Sequence, residues 1–201
     1  MGSRQGIDQW SIGKGERQEV IYGKRIRLRG VERADLPKFH EWVNDPEVNE
    51  GLAVYLPMSM LDEENWLEGA SRRDQEQKPL SIDIKDGNDW RLIGNCAFFD
   101  IEWIPRTAEF GILIGDKSVW NQGYGTETVE LILQHGFETL NLNRIHLKVY
   151  STNPRARRVY EKAGFILEGT MRQAVYRQGK YADIQIMSTL RSEWDARREG
   201  Q

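Results

Sequence analysis

The sequence predicts a mixed α/β (α+β) domain built on a central, mostly antiparallel sheet that contains one parallel strand pair. Two patterns carry that prediction. Residues 80–85, 91–101 and 107–114 read as three successive strands separated only by turn signals at Gly87-Asn88 and Pro105, which implies an antiparallel meander. Strand 107–114 then runs into a glycine turn, an amphipathic helix and another strand at 144–150, and a strand-helix-strand unit brings its second strand back parallel to the first.

The remaining elements follow in chain order. Residues 25–29 form a short strand, and Leu36, Phe39 and Val43 at helical spacing predict a helix that ends near Asn44-Asp45-Pro46. Residues 47–60 have no period and contain Gly51 and Pro57, so they read as loop, and 61–73 as a second, polar helix. Val129, Ile132, Leu133, Phe137 and Leu140 share one face of a helix over 126–140, despite the interior Gly136. Asn153-Pro154 is an N-cap followed by proline at the first helical position, Ala156, Val159, Tyr160 and Ala163 form the apolar stripe, and Gly164 stops the helix. Residues 165–171, 175–181 and 184–190 close the sheet around a Gln178-Gly179 turn. One domain is expected over 24–191, between a flexible, polar N-terminal extension 1–23 and a basic C-terminal tail 192–201 that frays.

Composition narrows the function. With 28 Lys and Arg against 31 Asp and Glu the formal net charge is −3, so no basic field invites nucleic acid, and no apolar run approaches the ~20 residues of a membrane span. Neither nucleic acid nor membrane is an expected partner. Cys96 is the single cysteine, which rules out an intramolecular disulfide and favours the cytoplasm. His40, His135 and His146 lack metal-ligand spacing, so no metal is expected and all three read as structural. A homodimer is the default assembly.

The chemistry-bearing motif is Gln122-Gly123-Tyr124-Gly125-Thr126, set between a strand and a helix. Two residues without Cβ let backbone approach a ligand, and successive N–H groups converge at a helix start, an arrangement suited to diphosphate. It is neither a Walker loop, which needs Gly-Lys-Ser/Thr, nor a dinucleotide fingerprint, whose third glycine position is here Thr128. Gly111 inside the preceding strand predicts a bulge that splays this strand from 144–150, leaving the backbone groups of Ile112, Leu113 and Ile114 free to pair with an amide-bearing ligand arm.

On these residues the chain resembles the GNAT-superfamily N-acetyltransferases. Glu109-Phe110-Gly111-Ile112-Leu113-Ile114 resembles the family's splayed strand, Gln122 to Thr126 its pyrophosphate loop, and Asn153-Pro154 through Tyr160 to Gly164-Phe165 its second cofactor helix. Trp120 stands where the family pattern has Gln or Arg. Glu168-Gly169 with Arg172, Gly179 and Asp183 further resembles the ribosomal-protein N-terminal and polyamine acetyltransferase branch. The resemblance implies a GNAT-like fold with helices on both faces of a splayed sheet, and acetyl-coenzyme A as co-substrate. It places Ile112, Leu113 and Ile114 on the pantetheine amides, Gln122, Gly123, Tyr124, Gly125 and Thr126 on the pyrophosphate, and Asn153 and Tyr160 beside pantetheine and thioester. The acceptor is then a primary amine, on a protein N-terminus, a polyamine or another small molecule.

Cys96 lies in an apolar strand without an activating partner, so direct attack within a ternary complex is expected rather than an acyl-enzyme. Tyr160 is the candidate acid for the departing thiolate, with a packed core tyrosine as the other reading, and Glu109 or Glu168 is the candidate base. Glu47, Glu50, Asp62, Glu63 and Glu64 read as a solvated face, and Arg155, Arg157 and Arg158 as the outer side of a helix, outside the site. Two other readings stay open: a non-catalytic acyl-coenzyme A-binding regulatory module, and an interaction protein whose glycine turn holds nothing.

Overall fold

Alternation of apolar and polar residues over eight short segments produces one sheet, seen in a computed structural model that describes residues 20–200. The strands are β1 (Val20–Tyr22), β2 (Ile26–Gly30), β3 (Leu80–Asp86), β4 (Asp89–Glu102), β5 (Thr107–Ile114), β6 (Arg144–Tyr150), β7 (Ile166–Arg177) and β8 (Lys180–Leu190). They lie in the order β1-β2-β3-β4-β5-β6-β8-β7, and every neighbouring pair is antiparallel except β5 and β6.

One face of the sheet carries Ile26, Leu28, Ile82, Phe98, Ala108, Phe110, Ile145 and Leu147, each nearly inaccessible. Against it pack Val129, Ile132 and Leu133 of α4 (Tyr124–Gln134) and Tyr160 and Ala163 at α5 (Pro154–Lys162). The expected helix to Leu140 instead changes pitch: His135–Thr139 form a π-helical turn, with the Leu140 amide donating to the His135 carbonyl at 3.1 Å. Gly136 sits in that turn because a Cβ there would come within 2.7 Å of Ile145 and 2.8 Å of Phe98, so the turn presses directly on the sheet.

A second, smaller cluster joins Leu36, Phe39 and Trp42 of α1 (Leu36–Val43) and Val48 of α2 (Pro46–Asn49) to Trp66 and Leu67 of α3 (Met60–Ser71), together with Leu92 and Leu113 from the sheet. Leu113 belongs to this cluster while Ile112 and Ile114 pack on the first. Successive side chains of a strand point to opposite faces, so the helices cover both sides.

Both chain ends differ from expectation. Residues 1–19 of the expected extension lie outside the described residues, but Val20–Tyr22 pair with Arg27–Arg29 as an edge strand. Residues 191–199, expected mostly as a fraying tail, form α6 (Arg191–Glu199). The residue that docks it is Trp194, 7% exposed with its ring 5.8 Å from Phe137, while Arg191 and Arg197 donate to the carbonyls of Phe137 and Ala163. The expected strand 165–171 and residues 175–177 form one strand, β7, with a register shift between Met171 and Val175; it turns into β8, which begins at Lys180, through Gln178 (φ 48°) and Gly179 (φ 78°).

Candidate active site

The parallel pair holds for only three positions, Thr107↔Arg144, Ala108↔Ile145 and Glu109↔His146. Beyond them β5 stays paired to β4 as far as Ile114, and β6 stays paired to β8 as far as Tyr150, but the two strands part. A cleft of about 850 Å³ opens between them, lined by Gly111, Ile112, Leu113 and Ile114 on one side and Lys148, Val149 and Tyr150 on the other.

Gly111 does not make the splay by a bulge. The register runs unbroken from Phe99↔Glu109 through Ala97↔Gly111 to Gly94↔Ile114, and the irregularity lies between Phe99 and Glu102, where Asp100 takes φ 48°. What the absent side chain at 111 leaves room for is the Phe99 ring, 2.8 Å from where a Cβ would stand. Trp120, the departure from the family pattern, has a role here. Its indole N–H donates to the Ile114 carbonyl at 2.9 Å, so of the backbone groups expected to meet a ligand arm this acceptor is already engaged.

At one end of the cleft α4 begins. Gly123 is its N-cap in the left-handed region at φ 87°, a conformation that costs other residues about 1–2 kcal/mol, and no side chain caps the helix. The first-turn N–H groups of an uncapped helix have no intrahelical acceptor, and Gly123, Tyr124, Gly125 and Thr126 line the cleft. Gln122 does not; its side-chain amide turns back to the Ser118 carbonyl at 2.7 Å. Arg25 braces the loop from behind, bonding Glu127 at 2.7 Å and the Gln122 carbonyl at 3.2 Å, with its guanidinium 4.4 Å from the Tyr124 ring.

Two arginines that sequence placed outside the site line the cleft. Arg155 stacks on the Trp120 ring at 3.4 Å, and both Arg155 and Arg158 line the cleft with Lys162. The signal was available in the helix period: residues 155, 158, 159 and 162 fall on one side of α5, and Val159 already belonged to the expected stripe.

Asn153 and Tyr160 also line the cleft. Asn153 Oδ1 accepts from the Ala156 amide at 3.0 Å and so fixes the start of α5. Tyr160 is 7% exposed, and burial raises its pKa well above the usual phenol value, which keeps the hydroxyl protonated. Burial likewise pushes the Cys96 thiol up to about 12, which leaves it unreactive as a nucleophile.

The carboxylates separate clearly. Glu109 lines the cleft where the strands diverge; it bonds Lys148 Nζ at 2.8 Å and lies 3.7 Å from His146 Nε2. Glu168 is not among the lining residues: both Arg144 guanidinium nitrogens donate to it at 2.5 Å and Ser188 at 2.8 Å, which hold its pKa down to about 2. Glu63, read from sequence as part of a solvated face, is instead 6% exposed and lines the cleft beside Phe39 and Trp66. Among the described residues no group of three or more His, Cys, Asp or Glu is placed to hold a metal ion, and no helix is long and apolar enough to cross a membrane.

Comparison with known proteins agrees with this geometry. Residues 25–166 match the family described as an acetyltransferase (GNAT) domain. A spermidine N(1)-acetyltransferase of Vibrio cholerae is 30% identical over 178 residues, covering 87% of this chain and 98% of that protein. A putative ribosomal N-acetyltransferase, YdaF, of Bacillus subtilis is 31% identical over 107 residues, 53% of this chain and 58% of that one. The crystal structure of spermidine N-acetyltransferase from Vibrio cholerae in complex with CoA and spermine superposes with a TM-score of 0.77 at 27% identity, over 85% of this chain and 98% of that one.

Proposed function

The chain belongs to the GNAT acetyltransferase family, and on that premise we propose that it moves the acetyl group of acetyl-coenzyme A to a primary amine by direct attack within a ternary complex. The observation that carries the reading is the cleft itself: strands that part after Glu109 and His146, with the uncapped start of α4 at one end. The amide-bearing pantetheine arm lies along Ile112 and Leu113, and the diphosphate meets the N–H groups of Gly123 to Thr126. Arg155 and Arg158 offer further charge to the phosphates.

An alkylamine with pKa ~10.4 must lose a proton to attack, which costs about 4.6 kcal/mol at neutral pH. Glu109 takes that proton. It lies in the cleft, whereas Glu168, bound on both oxygens and held near pKa 2, is a poor acceptor for it. The free amine then attacks the thioester carbonyl, and the tetrahedral intermediate collapses as the carbon–sulfur bond breaks and the second proton of the attacking nitrogen passes to the departing sulfur, leaving the amide and the free coenzyme thiol. Tyr160 hydrogen-bonds the departing thiolate. Its raised pKa lies above the ~8.5 of a thiol, so it stabilises sulfur without surrendering its proton ahead of the chemistry. A reaction that consumes acetyl-coenzyme A belongs in the cytoplasm, where we place the protein.

Thiol release from acetyl-coenzyme A against a panel of amines, dipeptides and basic proteins tests this. Release that depends on an amine and falls at least 100-fold in Glu109→Gln supports it. Coenzyme binding with no release across the panel would instead favour an acyl-coenzyme A-binding regulatory module.

A further inference from the structure

His146 lies opposite Glu109 at the last paired position of β5 and β6, where the two strands begin to part. Lys148, two residues on, shares its face of β6. Both reach the same carboxylate oxygen: Lys148 Nζ is 2.8 Å and His146 Nε2 3.7 Å from Glu109 Oε2. Glu109 lines the cleft, and its Oε1 has no hydrogen-bond or ion-pair partner among the described residues. The other ring nitrogen of His146 settles the form of the imidazole. Nδ1 is enclosed and has no hydrogen-bond partner. The polar neighbours are engaged elsewhere: Ser188, the register partner on β8, donates to Glu168 of β7, and Arg144 gives both its terminal nitrogens to the same carboxylate. An enclosed N–H without an acceptor is costly, and a bare lone pair is less so. Nδ1 therefore carries the lone pair, and the one hydrogen of the neutral ring sits on Nε2, facing Glu109. Burial lowers the His146 pKa; Glu109 and Glu168 oppose this, Arg144 and Lys148 add to it, and the net direction agrees with a neutral ring.

We propose that His146 is a positioning residue in the acetyl transfer: as a neutral ring it donates from Nε2 to Glu109 Oε2 and, with Lys148, fixes that oxygen, so that Oε1 is the atom presented to the acceptor ammonium. The inference rests on the transferase reading and deepens it, naming the oxygen that takes the proton and the residue that aims it. At 3.7 Å the donor stands about 0.5 Å outside hydrogen-bond range, and catalytic contacts of this kind tighten when substrate engages. The ring is not a proton relay, because accepting a proton at Nε2 would require a hydrogen on the enclosed Nδ1. In the step itself the acceptor ammonium gives one proton to Oε1, the electrons of that N–H bond stay on nitrogen for the attack, and His146 neither gains nor loses a proton.

The test measures thiol release from acetyl-coenzyme A, with the best amine of the panel, in the wild type, in His146→Phe, which keeps a flat ring without a donor, and in His146→Gln, which restores an N–H. A kcat lower by about tenfold or more in His146→Phe, with KM for acetyl-coenzyme A within about twofold and recovery in His146→Gln to within about threefold of wild type, supports the role. Unchanged kcat in His146→Phe, or equal losses in the two variants, overturns it. In a Glu109→Gln background His146→Phe should cost less than about threefold more, because no carboxylate is left to aim; the full loss repeated there overturns the role. Nitrogen-15 NMR of labelled histidine, with the His146 signals identified by their disappearance in His146→Phe, reads the ring without turnover. A neutral ring with its hydrogen on Nε2 at pH 7 supports the inference, and a hydrogen on Nδ1 overturns it. Absence of amine-dependent thiol release would overturn the transferase reading and the inference with it, whereas release that ignores His146→Phe overturns the inference alone.

Discussion

Replacing Glu168 by Gln separates a structural strut from a catalytic base. The carboxylate ties three strands together, taking two donors from Arg144 on β6 at 2.5 Å and one from Ser188 on β8 at 2.8 Å. Its pKa falls from 4.5 to about 2, which at face value is worth about 3 kcal/mol. The side chain is 39% exposed, however, and solvent screening reduces the value to about 1–2 kcal/mol. A folded-state pKa below the unfolded one means that this stability is fully present above about pH 4.5 and drains away as pH falls toward 2. Urea unfolding at pH 7 should therefore find Glu168→Gln about 1–2 kcal/mol less stable, with Tm lower by roughly 2–8 °C. The gap should narrow steadily when the pH is taken below 4.5. Turnover, followed by thiol release, should stay within about threefold of wild type. A turnover loss of 100-fold or more at unchanged stability would refute the strut and return Glu168 to the chemistry.

Three further outcomes follow from the same geometry. Tyr160→Phe should lower kcat about 100-fold while calorimetry finds coenzyme A affinity unchanged, because the hydroxyl is needed only as sulfur departs. Gly123→Ala should weaken coenzyme A binding several-fold in the same titration and lower stability by about 1–2 kcal/mol, since its φ of 87° disfavours any Cβ and the new methyl would lie 3.3 Å from Arg25. Trp194→Ala should cost about 3–5 kcal/mol in urea unfolding, whereas a frayed tail would cost almost nothing.

Sequence patterns revealed those parts of the fold where a local rule and the tertiary packing agree. Strands 107–114 and 144–150 fall where the alternation puts them, and α5 starts at Asn153-Pro154 and stops before Gly164 because caps are local chemistry. The misses are of a different kind. The helix at 191–199 is mostly polar, and its docking depends on one tryptophan meeting Phe137, a residue more than fifty positions away. The splay was foreseen, but its expected cause was wrong. A glycine in a strand interior is equally compatible with a bulge and with a neighbouring ring lying across the backbone, and only the Phe99 contact decides between them.

For the site, the glycine loop could be found because it is contiguous in sequence, whereas the fate of each charge depends on partners far along the chain. Glu109 and Glu168 looked equivalent until Lys148 was found beside one and Arg144 and Ser188 around the other. Glu63 could have been recognised as buried: it lies three positions before Trp66, four before Leu67 and seven before Ala70, on the buried stripe of α3. The cleft lining combines Arg155, Arg158 and the uncapped first turn of α4 with the carboxylates of Glu109 and Glu63. On the proposed transferase reading, a nucleotide-tailed thioester would meet the arginines and helix amides, and a cationic amine the carboxylates. Lys148 has a consequence for that encounter. It occupies Glu109 at 2.8 Å, so an incoming ammonium must compete with it for the carboxylate. Near a second fixed cation and out of bulk water, the amine's charged form is disfavoured on both counts, which reduces the cost of releasing its proton when the thioester is within reach.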